Sequence, residues 1–311
     1  MSARKAVIFP GMGPSRFEDV GKFMVINPYA RELVSLADET LGYSLVDRYR
    51  EADGDYSEYA QVAFLVNCLA VARWATDTLE MEADCCTGPS FGGKAAAVHA
   101  GALSARDAIR MTAGFARCME EYFSTEYTDV VTHSFARTPQ DVLERILGEL
   151  REDGEWCDVS CHIDHDFTML SLREGRLEWL QQRLRAVGGL PLYTLRPPMH
   201  SAAFGALRRK AEEEVFAGIE FSDPRLPIVS DHDGTLVESA EGVRELLLDG
   251  FVRPVRWPDV VDTLRGLGVG TVYVAGQDSL FGRVAVTTAA FEVTPLTPQL
   301  AMRPRRRRPA A

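Results

Sequence analysis

The pentapeptide Gly88-Pro89-Ser90-Phe91-Gly92 constrains this chain more than any other stretch. Before it lies Asp84-Cys85-Cys86-Thr87, a short run without charge after its first residue, which predicts a buried strand. After it, Phe91 to Ala100 is rich in Ala and free of Pro, which predicts a helix. A G-x-S-x-G sequence between strand and helix forces a sharp turn that exposes the serine hydroxyl at the top of a sheet. The helix N-terminus behind it offers unpaired backbone N–H groups able to hold an oxyanion. The chemistry implied is covalent acyl chemistry.

At 311 residues the chain can bury a large core, as one big domain or two. The apolar runs look far short of the roughly 20 residues needed to span a bilayer. Met1 to Lys5 leads straight into Ala6-Val7-Ile8-Phe9, too short for a signal-peptide core, so the reading is a first strand in a cytoplasmic protein with no membrane role. A net charge of −11 speaks against nucleic-acid binding. The six cysteines follow no disulfide or zinc spacing and read as buried free thiols.

Hydrophobic periodicity predicts α/β structure for the first hundred residues: a strand at 5–9, helices at 28–40, 57–81 and 104–123, and the elbow strand with its helix. Ser104 is an N-cap candidate for the last of these. Then the pattern changes. Strands at 129–135, 157–162, 167–172 and 190–195 alternate with helices at 138–151 and 174–187, the order βαββαβ of a ferredoxin-like unit. Thr138 is the expected N-cap of its helix, with Pro139 in first helical position. Helices at 201–217, 239–248 and 256–266, a strand at 226–229 and a final strand at 270–274 complete the chain. The expected architecture is an α/β-hydrolase-like core with a short parallel sheet (residues 1–126 and 196–311) and an inserted ferredoxin-like small subdomain (residues 127–195).

A serine hydroxyl needs a base to take its proton. Of six histidines, His200 stands in Arg196-Pro197-Pro198-Met199-His200-Ser201, where two prolines fix the backbone at the entry to a helix. His99 reads as a packing residue on the Ala-rich helix, and His133 lies on a strand of the insert.

Six landmarks in order now carry a resemblance: Phe9-Pro10-Gly11-Met12-Gly13, Gly88-Pro89-Ser90-Phe91-Gly92, the ferredoxin-like insert, Pro198-Met199-His200-Ser201, Arg253-Pro254-Val255-Arg256-Trp257 and Val274-Ala275-Gly276. Over residues 5–290 the chain resembles the malonyl-CoA:ACP transacylase and polyketide-synthase acyltransferase family. The resemblance implies ping-pong transfer in which Ser90, deprotonated by His200, takes an acyl group from a thioester of CoA or a carrier protein. The phosphopantetheine thiol of an acyl carrier protein then receives it, with no bound cofactor and no metal. It also implies an oxyanion hole from the backbone N–H groups of Phe91 and Met12, and a backbone carbonyl, expected near Gly250, that orients the histidine.

The departures bear on substrate. Met12 stands where the family usually has Gln, and Pro89 where it usually has His. Extender-unit enzymes place an arginine 25 residues after the serine to clamp malonate, and that count reaches Phe115 here. Arg110 and Arg117 fall on other faces of the helix. An apolar ring cannot pair a buried carboxylate, so the expected acyl group lacks a free one. Met199 suits a larger or adaptable chain. Similar discrete acyltransferases move aminoacyl or peptidyl starters in macrolactam pathways. An editing hydrolase with the same Ser–His pair and a non-catalytic carrier-binding module are the alternatives. Arg208, Arg209, Lys210 and the basic tail around Arg305 and Arg306 are docking candidates for an acidic carrier.

Two other motifs point elsewhere but lack the residues or the context their chemistry needs. Asp231-His232-Asp233-Gly234-Thr235 imitates the first motif of haloacid-dehalogenase phosphatases, but no later Lys and acidic pair suits a Mg²⁺ site. His162, Asp164, His165 and Asp166 cluster as metal ligands do, yet fall at an expected polar turn.

Overall fold

Ala6, Val7 and Ile8 are fully buried in β1 (Arg4–Ile8), a continuous apolar run of the kind that a parallel sheet covered on both faces selects. The structure, a computed structural model, describes residues 3–54 and 56–303. In chain order the remaining strands are β2 (Cys85–Thr87), β3 (Val130–Ala136), β4 (Cys157–Asp164), β5 (Phe167–Arg173), β6 (Leu190–Leu195), β7 (Ile228–Val229), β8 (Leu236–Val237), β9 (Val255–Arg256), β10 (Val269–Ala275) and β11 (Glu292–Leu296). They form two sheets.

The larger sheet has the order β11-β10-β1-β2-β7-β8, parallel except for the β7–β8 pair. In register, Ala6 faces Cys85 and Ile8 faces Thr87, so β1 and β2 end side by side. Phe9 N–H donates to the Thr87 carbonyl at 3.0 Å and closes the pair just below the turns that follow each strand. Ligand crevices of open α/β sheets lie at these carboxyl ends. The strand at Val269–Ala275 is not the last: β11 follows and pairs parallel with it through Val272↔Val293. Its Glu292-Val293-Thr294-Pro295-Leu296 sequence carries a proline, which an edge strand tolerates and which hid it from the periodicity.

The smaller sheet runs β6-β3-β5-β4-β9. Its first four strands have the ferredoxin-like arrangement, with helices Gln140–Glu152 and Leu177–Ala186 burying Leu143, Ile146, Leu147, Leu150, Leu180 and Leu184 against Val131, Phe135, Leu170 and Leu172. Pro139 is the cap of the first helix rather than its first residue, with ψ of 156°. The fifth strand, β9, comes from beyond the insert and pairs parallel with β4 through Cys161↔Val255.

Helix Glu58–Leu79, expected at 57–81, is more apolar than the sequence reading allowed: by length and composition it could cross a membrane. Gln61 and Asn67 interrupt the apolar run in sequence, yet both are buried along with Val62 to Val66 and Cys68 to Ala72. It is a core helix packed over the large sheet.

Candidate active site

Elbow geometry follows from its two glycines. A Cβ on Gly92 would stand 2.0 Å from the Phe9 carbonyl oxygen, and one on Gly88 would stand 2.2 Å from the Gly92 backbone. Only glycine lets β1, β2 and the helix Gly92–His99 approach this closely. Between them Ser90 is held at φ +54°, a left-handed conformation that non-glycine residues rarely adopt. His200 is held at φ +63°. Strain at both members of one pair marks a constellation that the surrounding fold over-determines.

The pair meets. Ser90 Oγ lies 2.8 Å from His200 Nε2, and His200 Nδ1 lies 3.2 Å from the Arg253 carbonyl oxygen. A carbonyl only accepts, so Nδ1 carries the proton and Nε2 is free to accept from the serine hydroxyl. Burial, reinforced by His232 and Lys94, pushes the ring down to about 3 against the pull of that carbonyl. The imidazole is therefore neutral and available as a base across the physiological range.

The orienting carbonyl is that of Arg253, not of Gly250. Helical turns continue past the helix Ala240–Asp249, with Phe251 N–H donating to Leu248 and both Val252 and Arg253 N–H to Asp249. The chain becomes extended only at β9, so Arg253 is the residue delivered to the ring. Gly250 instead lines the cavity wall. Ser201 N–H donates to the Phe251 carbonyl, and the Ser201 hydroxyl donates to Asp158 of β4, which ties the histidine's neighbour to the turn before Arg253 and to the small sheet.

Ser90, His200, Met12, Phe91, Phe115, Met199 and Gly250 line one cavity of about 700 Å³. The backbone N–H groups of Met12 and Phe91 donate to no backbone carbonyl among the described residues. Pro89 contributes its carbonyl to the Gly92 N–H instead of lining the cavity. Phe115 stacks on Phe216 at 5.6 Å and meets Phe251 edge-on at 4.8 Å, an aromatic wall. Arg117 pairs with Glu58 at 2.9 Å and Arg110 with Asp107 at 3.6 Å, both on the surface.

Two cavity residues escaped the sequence reading. Asp231 is buried, and its Oδ2 accepts from the Ser90 N–H at 2.6 Å while Oδ1 lies 3.5 Å from His232 Nε2. Burial raises this carboxyl and His232 opposes the rise. The phosphatase-like motif thus supplies an anchor for the nucleophile's backbone, while Asp233 pairs with Arg253 at 2.8 Å. Lys94, one helical turn beyond Ser90, is 8% exposed, with Nζ 3.7 Å above the Phe91 ring and 5.6 Å from the Phe115 ring centre. Burial pushes its amine down to about 7. An i+4 position on the elbow helix was the available signal for it.

Of the docking candidates, Arg208 is engaged by Glu212, Glu245 and Asp249, and Lys210 by Glu121 and Glu214. Arg209 is exposed. Arg305 and Arg306 lie outside the described residues. His99 packs on the Phe9 ring, and His133 Nδ1 lies 2.9 Å from the Thr194 hydroxyl on the neighbouring strand.

Comparison with known proteins places the fold. Residues 134–195 match the model of the VinK acyltransferase small domain. The chain is 24% identical over 278 residues to the malonyl CoA-acyl carrier protein transacylase of Bacillus subtilis, covering 87% of this chain and 86% of that protein. A malonyl-transacylase solved in complex with its type II polyketide acyl-carrier protein superposes with a TM-score of 0.82 at 22% identity, over 94% of this chain and 96% of that one. The acyltransferase domain from the second module of the salinomycin polyketide synthase superposes with a TM-score of 0.78 at 23% identity, over 95% of this chain and 69% of that one.

Proposed function

We propose, from the premise that the chain belongs to the malonyl-CoA:ACP transacylase and polyketide-synthase acyltransferase family, that it moves an acyl group to or from an acyl carrier protein through acyl-Ser90. The contact that carries this reading is Ser90 Oγ at 2.8 Å from His200 Nε2, with the other ring nitrogen held by Arg253. Nε2 takes the hydroxyl proton as Oγ attacks a thioester carbonyl. The tetrahedral oxyanion is held by the N–H groups of Phe91 and Met12. Collapse expels the donor thiol, which recovers the proton from His200 and leaves the acyl ester on Ser90. The phosphopantetheine thiol of the acceptor then repeats the steps in reverse, and CoA or a second carrier serves as donor.

The acyl group we propose lacks the free carboxylate of an extender unit. Support comes from Phe115, Phe216 and Phe251, which build an aromatic wall, and from Arg110 and Arg117, which are paired outside the cavity. Where an extender-unit arginine is expected a carboxylate would meet the Phe115 ring, and even a neutral polar group buried without a partner costs on the order of 2–7 kcal/mol. Arg209 is the docking residue this reading favours, because Arg208 and Lys210 are already held by carboxylates.

Intact-protein mass spectrometry tests the proposal. Incubation with a panel of malonyl, alkyl and aminoacyl thioesters should add one acyl mass, lost in Ser90→Ala, and the acyl group should then pass to a holo carrier protein. Release of free acid at the same rate with or without carrier would make the protein a hydrolase. No adduct with any thioester would reduce it to a binding module.

A further inference from the structure

Lys94 is a cation placed inside an acyl cavity without a counter-ion. It stands on the first turn of the elbow helix and lines the cavity, and no ion pair or hydrogen bond is found for Nζ among the described residues. Among the described residues the one carboxylate lining the cavity, Asp231, is already engaged by the Ser90 N–H and lies beside His232. Both aromatic neighbours offer only π faces, which attract an ammonium without satisfying its three N–H donors. A buried donor set left unfilled in a binding cavity is a demand for an acceptor. Water fills that role until the cavity is occupied, and an acyl chain that displaces it must supply an acceptor in its place.

We propose that Lys94 is the specificity-determining residue of the cavity, its Nζ donating to an acceptor oxygen carried by the acyl chain. This rests on the acyl-transfer reading and deepens it: the substrate class is an acyl group bearing a further carbonyl oxygen, keto or amide, not a plain alkyl chain. Position supports the assignment, since Lys94 stands on the first turn of the helix that follows the Ser90 elbow and both residues line the same cavity. An acyl group bonded to Ser90 Oγ therefore shares its cavity with Nζ. The ring of Phe115 lies 5.6 Å from Nζ, so an occupant that passes this ring also meets the Lys94 amine.

Three thioesters of similar length separate the possibilities: hexanoyl, a keto-hexanoyl analogue and glutaryl. The readouts are kcat/KM for acylation of Ser90 and calorimetric affinity for the Ser90→Ala protein, which needs no chemistry. The expected preference for an oxygen-bearing thioester over hexanoyl is about tenfold or more, the usual worth of a hydrogen bond to a charged group. Lys94→Met should collapse that ratio toward one, and Lys94→Gln, which keeps a donor, should restore part of it. Preference for the keto chain upholds both readings. A Lys94-dependent preference for glutaryl upholds the role of Lys94 and overturns the absence of a free carboxylate. A ratio that Lys94→Met leaves in place, an equal loss on all three thioesters, or no binding of any of them overturns the role of Lys94. Binding without acylation overturns the transferase reading alone.

Discussion

Replacing Lys94 by methionine should stabilise the protein, and the amount should depend on pH in one direction. The free amine ordinarily titrates at 10.5, and burial pushes it down to about 7 in the folded chain. Between those values the unfolded chain holds a proton that the native state does not, so wild-type stability rises with pH across that window. Below about 7 the penalty for keeping the buried amine charged is present in full. The gap between 10.5 and about 7 corresponds to at most ~5 kcal/mol. Methionine matches the lysine stem in length and removes the charge, but forfeits a cation–π contact with Phe91 worth about 1–2 kcal/mol when desolvated. Lys94→Met is therefore expected to exceed the parent by about 2–4 kcal/mol at pH 6. That advantage should shrink steadily above pH 7 and vanish near pH 10.5. Urea denaturation of both proteins across that range measures the difference directly, because the one other group shown to feel Lys94, His200, is pushed down to about 3 and titrates below it. A difference that stays flat with pH, or that grows toward alkaline pH, would refute the reasoning.

Other outcomes follow from the same geometry. Ser90→Ala and His200→Ala should each lower acyl-enzyme formation at least about a thousandfold with unchanged circular dichroism, as loss of a nucleophile or its base does. With an alkyl thioester the acylation rate should show no inflection near the ordinary histidine value of 6.5, because His200 titrates at about 3; stopped-flow profiles between pH 4.5 and 8 check this. The same depressed value means that the unfolded chain binds the extra proton between 3 and 6.5, so the contribution of His200 to stability is lost as pH falls through that window. Asp231→Ala should leave the Ser90 N–H unsatisfied, cost about 1–3 kcal/mol in denaturation and slow acylation, while Asp231→Asn, which retains an acceptor, should recover most of both. Arg209→Ala should raise KM for the carrier protein and leave kcat with a small thioester in place, whereas Arg208→Ala should mainly lower Tm by breaking its three-carboxylate network.

How much was legible beforehand depended on the range of the interaction. The elbow glycines, the Ala-rich helix, Ser104 as cap to Asp107 N–H at 3.0 Å, and the βαββαβ order are local or periodic, and periodicity survives in one dimension. Strands β8 and β9 have two residues each and carry no pattern of their own. They exist because a neighbouring strand supplies the ladder. The short helices Phe17–Ile26 and Leu45–Glu51 were missed for a related reason: one opens on an uncapped Arg16, and the other is seven residues long.

Sequence alone determined that a serine would sit on a strained strand-to-helix turn, since only that glycine spacing permits it, and that His200 would be its partner among six candidates. What the tertiary structure decided is everything that depends on residues distant in the chain sharing one space. It chose Arg253 over Gly250 as the orienting carbonyl because helical turns run on until β9 meets the small sheet. It turned a phosphatase-like aspartate into an anchor 141 positions from the backbone it holds. It aimed Lys94 inward onto two rings. Direction and burial of a side chain are properties of the packed interior, and no local stretch of sequence contains them.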